Sequence, residues 1–272
     1  MTSKRTVLIT GAASGIGRGT VEKFGQAGWT VAATMRAPER AEPFAVPPDR
    51  LHLLQLDVTD PASIDAALSS AIGAMGHIDV IVNNAGYALL GPFERLTPEQ
   101  IRQQFETNVF GVMAVCRAVL PHMRSRSTGT IINVTSVGGR LAFPYYSAYH
   151  ATKWAVDGFS ESLSYELVPF GIAVKIIEPG PIKTEFYGRS EVRPADADLG
   201  LYQAHFNNTD RHMKRFGARA PGPGKVADAI YQAATDGTGR LRYLPAAHGL
   251  LALRRVLPDR WFRFGLEKVL GV

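Results

Sequence analysis

With one cysteine in 272 residues, this chain cannot close an internal disulfide. Cys116 lies in an apolar stretch of helical period, where a lone thiol is expected to pack in the core. The lack of bridges fits a reducing, cytoplasmic setting. Long hydrophobic runs are missing as well: no apolar stretch approaches the ~18 residues that a membrane-spanning helix needs. The N-terminal MTSKRTVLIT passes from a short basic lead into a strand-like segment. It lacks the apolar region and small-residue cleavage site of a secretory leader. No internal repeat and no proline- or serine-rich linker divides the chain, so one soluble domain over residues 1–272 is expected.

The net charge of +6 is unevenly placed. Residues 211–272 hold 12 Lys/Arg against 4 Asp/Glu, and the first 210 hold 18 against 20. A basic C-terminal part can meet an anionic partner, but a solvated surface is the plainer account, and no nucleic-acid partner is expected. No metal site is expected either.

What the chain does have is alternation. Val7–Thr10, Thr30–Thr34, Leu51–Leu56, Val80–Val82, Thr130–Val134 and Ala173–Ile177 are short runs rich in Val, Ile and Leu. Between them lie segments of helical period near 15–27, 60–74, 98–126 and 149–169, with a weaker helix and strand at 226–235 and 240–244. This pattern predicts an α/β fold: a doubly wound parallel sheet with helices on both faces, joined by right-handed crossovers. Residues 183–224 break the rhythm with scattered charge and end in Pro221-Gly222-Pro223-Gly224. They read as a long variable substrate loop.

The first strand runs into Thr10-Gly11-Ala12-Ala13-Ser14-Gly15-Ile16-Gly17. Glycines between a strand and a helix allow a tight turn and close backbone approach, and the free N–H groups of the helix attract an anion. The turn can hold a pyrophosphate, although its spacing is G-x-x-x-G-x-G rather than the G-x-G-x-x-G of the general dinucleotide fingerprint, and no Gly-Lys-Ser/Thr of a P-loop follows. An acid after the second strand would select NAD, whereas an arginine there accommodates the 2′-phosphate of NADP. The chain has Arg36 in that place and no acid before Glu39, which predicts NADP(H) rather than NAD(H). Asp57 and Val58 follow the third strand, and Asn84, Ala85 and Gly86 the fourth, at the carboxyl edge where ligands bind in such sheets. Asn83 reads as a brace of the sheet.

Within Tyr145-Tyr146-Ser147-Ala148-Tyr149-His150-Ala151-Thr152-Lys153, only Tyr149 has a lysine four residues on, on the same helix face. An ammonium stabilises phenolate and brings a tyrosine toward working pH. Ser136 ends a strand thirteen residues upstream and can hydrogen-bond a carbonyl.

Together, TGAASGIG at 10–17, Asp57, NNAG at 83–86, Asn108, Ser136, YHATK at 149–153 and PGPIKT at 179–184 resemble the short-chain dehydrogenase/reductase family, covering about residues 5–185. The chain is most similar to its retinol- and hydroxysteroid-dehydrogenase-like branch. The resemblance implies that Tyr149 is the general acid in carbonyl reduction or the base in alcohol oxidation. It implies that Ser136 polarises the carbonyl, that Lys153 lowers the Tyr149 pKa and holds the nicotinamide ribose, and that Asn108 holds a water linking Lys153 to solvent. Pro179, Gly180, Ile182 and Thr184 would lie along the nicotinamide. It further implies a substrate pocket built from Val137, Leu141, Phe143, Tyr146 and Phe186. Their apolar character favours a steroid-, retinoid- or aryl-ketone-like carbonyl or alcohol.

Two alternatives remain open on the sequence: a non-catalytic NADP(H)-sensing protein, and an NAD(H)-preferring alcohol dehydrogenase of the same family. The family also implies a homodimer or homotetramer through the helices at 98–126 and 149–169. The tail from about 249 to 272 interleaves apolar and basic residues. It fits weak contact with a membrane surface, or docking over the site or on a partner subunit.

Overall fold

The computed structural model describes residues 4–183, 191–193 and 199–271. Seven strands form one parallel sheet: β1 (Thr6–Ile9), β2 (Thr30–Met35), β3 (Leu51–Gln55), β4 (Val80–Asn83), β6 (Gly129–Val134), β7 (Ile172–Ile177) and β9 (Arg242–Tyr243). Their order across the sheet is β3-β2-β1-β4-β6-β7-β9. The direction of winding reverses between β1 and β4, and a crevice opens there at the carboxyl ends of the strands. A separate two-stranded piece pairs β5 (Ala88–Leu89) with β8 (Glu191–Val192).

Because side chains alternate along a strand, one run feeds two cores. Leu8, Ile81 and Ile131 are buried on one face with Ile64, Val115, Val119 and Leu163. These come from α2 (Pro61–Met75), α4 (Gly111–Ser125) and α5 (Ser147–Glu166). Val7, Ile9, Val80, Val82 and Ile132 point to the other face and meet Val21, Phe24, Val226 and Ile230. Those belong to α1 (Gly15–Gln26) and α7 (Gly224–Thr235). Near the sheet centre, the Asn83 amide donates to Asn133 Oδ1 at 2.8 Å and lies 3.3 Å from Cys116 Sγ. Asn133 in turn donates to Ser160 at 2.8 Å. Asn83 is therefore a brace, and burial pushes the Cys116 thiol up to about 12.

The structure departs from the sequence expectations in three places. The long helix at 98–126 is interrupted: α3 (Pro98–Phe105) passes through a π-helical turn at Glu106–Phe110 before α4 begins. The segment 183–224 is not a loop throughout, since α6 (Gln203–Ala218) lies within it. Asn207, Asn208, Thr209 and Asp210 are poor helix formers. The burial of Phe206 and Thr209, with Phe206 packed edge-on to Tyr145, overrides that propensity. The tail forms two helices, α8 (His248–Val256) and α9 (Asp259–Leu270). Thr184 and Phe186 lie outside the described residues. Among the described residues, no helix is long and apolar enough to cross a membrane, and no cluster of three His, Cys, Asp or Glu could hold a metal.

Candidate active site

A cleft of about 1800 Å³ runs along the carboxyl edge of the sheet, from the β1–α1 turn to the start of α5. The glycine turn forms one end. Gly11 has φ +66°, and a Cβ there would stand 2.8 Å from the Ala85 Cα. A Cβ on Gly17 would stand 2.3 Å from the Gly11 carbonyl. The Asn84 amide locks the turn by donating to the Thr10 and Gly11 carbonyls at 3.0 and 3.1 Å. The Thr10 hydroxyl accepts from the Asn84 and Ala85 N–H groups, both at 3.0 Å. Ser14 precedes α1 without a side-chain cap, and the first turn carries no acid. The first N–H groups of α1 thus face the cleft with no anion of their own, which fits a pyrophosphate.

Arg36 lines the cleft at the end of β2. Arg18 and Arg40 line it too, and sequence reasoning missed both. Arg18 is held by the Pro43 carbonyl and by Glu22 at 3.3 Å, over the Phe44 ring at 4.5 Å. The one available signal for Arg40 was its place four residues beyond Arg36. One oxygen of Asp57 accepts from the Thr59 N–H at 2.9 Å and hydroxyl at 2.8 Å, which fixes its carboxylate at the cleft edge beside Val58. The donor set fits a nicotinamide dinucleotide: N–H groups for a pyrophosphate, Arg36 for a ribose phosphate, and Asp57 for an adenine amino group.

At the other end, Ser136, Tyr149 and Lys153 all line the cleft. Ser136 caps a short 3₁₀ turn at Val137–Gly139, and its Oγ accepts from the Gly138 N–H at 3.0 Å. That bond uses a lone pair and leaves the hydroxyl proton for a ligand. Lys153 Nζ donates to the Val134 carbonyl at 3.1 Å and lies 5.7 Å from the Tyr149 ring centre. Burial lowers its pKa to about 8, so it still carries its charge at neutral pH. Gly86 faces this pair: a Cβ there would stand 3.0 Å from Asn108 Oδ1 and 3.9 Å from Lys153 Nζ.

Asn108 sits inside the π-turn. Its side chain accepts from the Tyr87 N–H at 3.0 Å and donates to the Tyr87 carbonyl at 2.8 Å and to Thr152 at 3.2 Å. The π-turn adds a backbone acceptor here, because shifting the i→i+4 pairing by one residue frees a carbonyl. Pro179, Gly180 and Ile182 line the cleft beside β7. They are tied in place by the bond from the Val137 N–H to the Pro179 carbonyl at 2.9 Å.

Of the predicted substrate residues, Val137, Phe143 and Tyr146 lie on the cleft wall. Leu141 does not. It is 2% exposed and packs with Ala247 and Phe262 beneath the tail helices, because the turn after Ser136 directs it away from the cleft. Tyr145 takes φ +69° and packs on Phe206, while Tyr146 meets Tyr149 edge-on at 6.1 Å. Met213, Leu266 and Val269 line this end as well. They come from α6 and α9, which the sequence did not present as helices.

A further residue was missed. The N–H of Phe143 donates to His150 Nε2 at 2.8 Å, and His150 Nδ1 lies 2.9 Å from the Gly138 carbonyl. Nε2 accepts, so Nδ1 carries the proton and donates, and the ring is neutral. Burial lowers its pKa to about 4. His150 thus staples the loop carrying Ser136, Val137 and Phe143 to the helix carrying Tyr149 and Lys153. The available signal was the pair Gly138-Gly139, since a Cβ on Gly138 would stand 2.6 Å from His150 Nδ1.

A glycine turn, a Ser–Tyr–Lys group and a cleft along the sheet edge define a nicotinamide-dependent oxidoreductase of the Rossmann type. Residues 5–193 match the sequence model described as short chain dehydrogenase, and the chain belongs to that family. It is 40% identical to the uncharacterized oxidoreductase YusZ of Bacillus subtilis over 94% of this chain and 95% of that one. It is 33% identical to a 3-ketodihydrosphingosine reductase of Bacteroides thetaiotaomicron, over 96% of each. Human 17-beta-hydroxysteroid dehydrogenase type 1 is also 33% identical, over 94% of this chain and 82% of that one. A short-chain dehydrogenase from Streptomyces avermitilis superposes with a TM-score of 0.79 at 34% identity, over 97% and 98% of the two chains. ElxO with NADP bound gives 0.73 at 26%, over 92% and 99%. A 3-ketoacyl-(acyl-carrier-protein) reductase from Brucella melitensis complexed with NADH gives 0.72 at 26%, over 90% and 97%.

Proposed function

We propose that the protein is an NADP(H)-dependent carbonyl reductase acting on hydrophobic ketones, or on the corresponding secondary alcohols in reverse. The observation that carries this reading is the cleft itself. Ser136, Tyr149 and Lys153 meet the glycine turn on one side and an apolar wall of Val137, Phe143, Tyr146 and Met213 on the other. The nicotinamide supplies the hydride to the carbonyl carbon. As negative charge builds on the carbonyl oxygen, the Ser136 hydroxyl donates a hydrogen bond to it and Tyr149 delivers its proton. The Lys153 ammonium stabilises the phenolate left behind, and the buried setting strengthens that effect. Two relatives, named as a 3-ketodihydrosphingosine reductase and a 17-beta-hydroxysteroid dehydrogenase, support a substrate with a large apolar body.

Arg36 supports NADP(H), since a guanidinium fork matches a phosphate and no acid stands beside it at the end of β2. We further propose self-association through α4 and α5, where Phe110 at the start of α4 and Trp154 and Tyr165 of α5 are exposed at 52–69%.

Two measurements test the reaction and the cofactor. Tyr149→Phe should lower turnover of hydrophobic ketones by on the order of 10³-fold while fluorescence titration still shows NADPH binding. Substantial residual turnover sinks the assignment. Arg36→Ala should raise the Km for NADPH at least tenfold and leave that for NADH nearly unchanged, and equal turnover with NADH in the parent protein overturns the preference.

A further inference from the structure

The tail helix α9 has two unlike sides. Its inner side is docked: Phe262 and Leu270 are buried, Leu266 and Val269 line the cleft, and the Gly271 carbonyl accepts from Asn208 of α6 at 2.7 Å. Its outer side exposes Trp261 and Phe264, each at 55%, three residues apart and so on one face. The preceding helix α8 exposes Leu253 at 50% and Val256 at 79%, again three apart. Arginine and lysine are interleaved with these residues. Arg260 lies 5.5 Å from the Trp261 ring and Lys268 5.6 Å from that of Phe264. Residues 248–271 carry five basic residues against two acids, Asp259 and Glu267. Asp259 is already paired with Arg254.

We propose that the outer face of α8–α9 docks on an anionic lipid surface, placing the apolar end of the cleft next to the bilayer. The proposal goes beyond the reaction assigned above and does not depend on which ketone is reduced. Aromatic rings that are half exposed and flanked by cations suit the boundary between headgroups and acyl chains, where the ring enters and the charge meets lipid phosphate. A second copy of the chain suits this face poorly. A two-fold contact sets the same patch against itself, which would press two surfaces of net +3 together. The apolar faces of α4 and α5 already offer a contact for self-association. Because the inner side of α9 forms part of the cleft wall, the same helix would present the mouth to the membrane.

The test uses the full chain with extruded vesicles of phosphatidylcholine alone and of phosphatidylcholine with an equal part of phosphatidylglycerol. Sedimentation should carry the protein down with the anionic vesicles at low salt and leave it in solution at 0.5 M salt, where charge is screened. In a Trp154→Phe protein, Trp29 is buried and Trp261 is the exposed reporter, and its emission should shift to the blue on binding. Arg260→Glu with Arg263→Glu should weaken binding on the order of thirtyfold or more. Trp261→Ala with Phe264→Ala should remove it while NADPH binding persists, which controls for folding. The proposal fails if the parent protein stays in solution with anionic vesicles at low salt, or if either double variant binds as the parent does. It fails equally if the aromatic variant changes the protein's mass in solution, which would assign the face to a second copy.

Discussion

His150 shows how one side chain can set a site by holding its backbone. It is 5% exposed and hydrogen-bonded at both nitrogens as a neutral ring. Its folded pKa of about 4 lies below the ordinary value of 6.5, so the unfolded chain binds the extra proton first. The stabilisation is therefore fully present above pH 6.5 and is lost as pH falls toward 4, amounting to about 2 kcal/mol by pH 5. Urea denaturation at pH 7 and pH 5 should show this loss in the parent protein. A His150→Gln variant should be less stable at pH 7 and should lose less than the parent on acidification. An equal pH response in both would remove the proposed role. Its kcat should fall more than its affinity for NADPH, because the loop bearing Ser136 is released while the glycine turn is untouched. The catalytic side chains themselves could be identified from motif spacing, whereas His150 could not. Its partners, the Gly138 carbonyl and the Phe143 N–H, are backbone groups, and backbone groups leave no mark in side-chain identity.

At the scale of elements, the β1–α1 turn and the π-turn perform the positioning. Gly17→Ala should lower NADPH affinity by well over tenfold, because a Cβ 2.3 Å from the Gly11 carbonyl must displace the turn that receives the pyrophosphate. Fluorescence titration of NADPH reads the effect, and affinity within twofold of the parent would show that the turn does not hold the cofactor. The first six strands of the large sheet were legible to within about a residue from their Val/Ile/Leu runs, whereas the short pair β5 and β8 was not, being two residues each. Helix α6 was not legible, because its Asn-Asn-Thr-Asp stretch reads as loop. It is helical only because Phe206 is buried against Tyr145 and because α6 packs on α9. The π-turn was equally hidden. It is an extra residue in an otherwise regular pattern, placed where Val58 presses on Gly111, whose Cβ would stand 2.8 Å from the Val58 Cγ2.

At the scale of the molecule, the proposed self-association through α4 and α5 can be tested directly. Light scattering should give a mass of at least two chains, and Trp154→Glu should lower it, because a charge would replace an exposed ring on the proposed contact. An unchanged mass would place the contact elsewhere. A buried ionic cluster links the sheet edge to the site: Arg242 on β9 pairs with Asp157 and Glu161 of α5, each at 2.7 Å, and with the fully buried Glu178. Burial raises the Glu178 pKa, and Arg242 opposes that rise. Glu178 immediately precedes Pro179 and Gly180, so the ion pairs anchor this part of the cleft wall to the helix bearing Lys153.

The alternation of strands and helices, the glycine turn, and the pairing of Tyr149 with Lys153 are written in the order of residues alone. All three are local: a strand shows its period over a few residues, and a helix brings residues four apart together. What distant segments do to one another is settled by packing. It turned Leu141 away from the cleft and Phe143 into it, gave His150 its two backbone partners, and laid α6 and α9 along the apolar end. Those outcomes depend on which surfaces meet once both faces of the sheet are covered. Local periodicity specifies that a face is apolar but does not specify its partner.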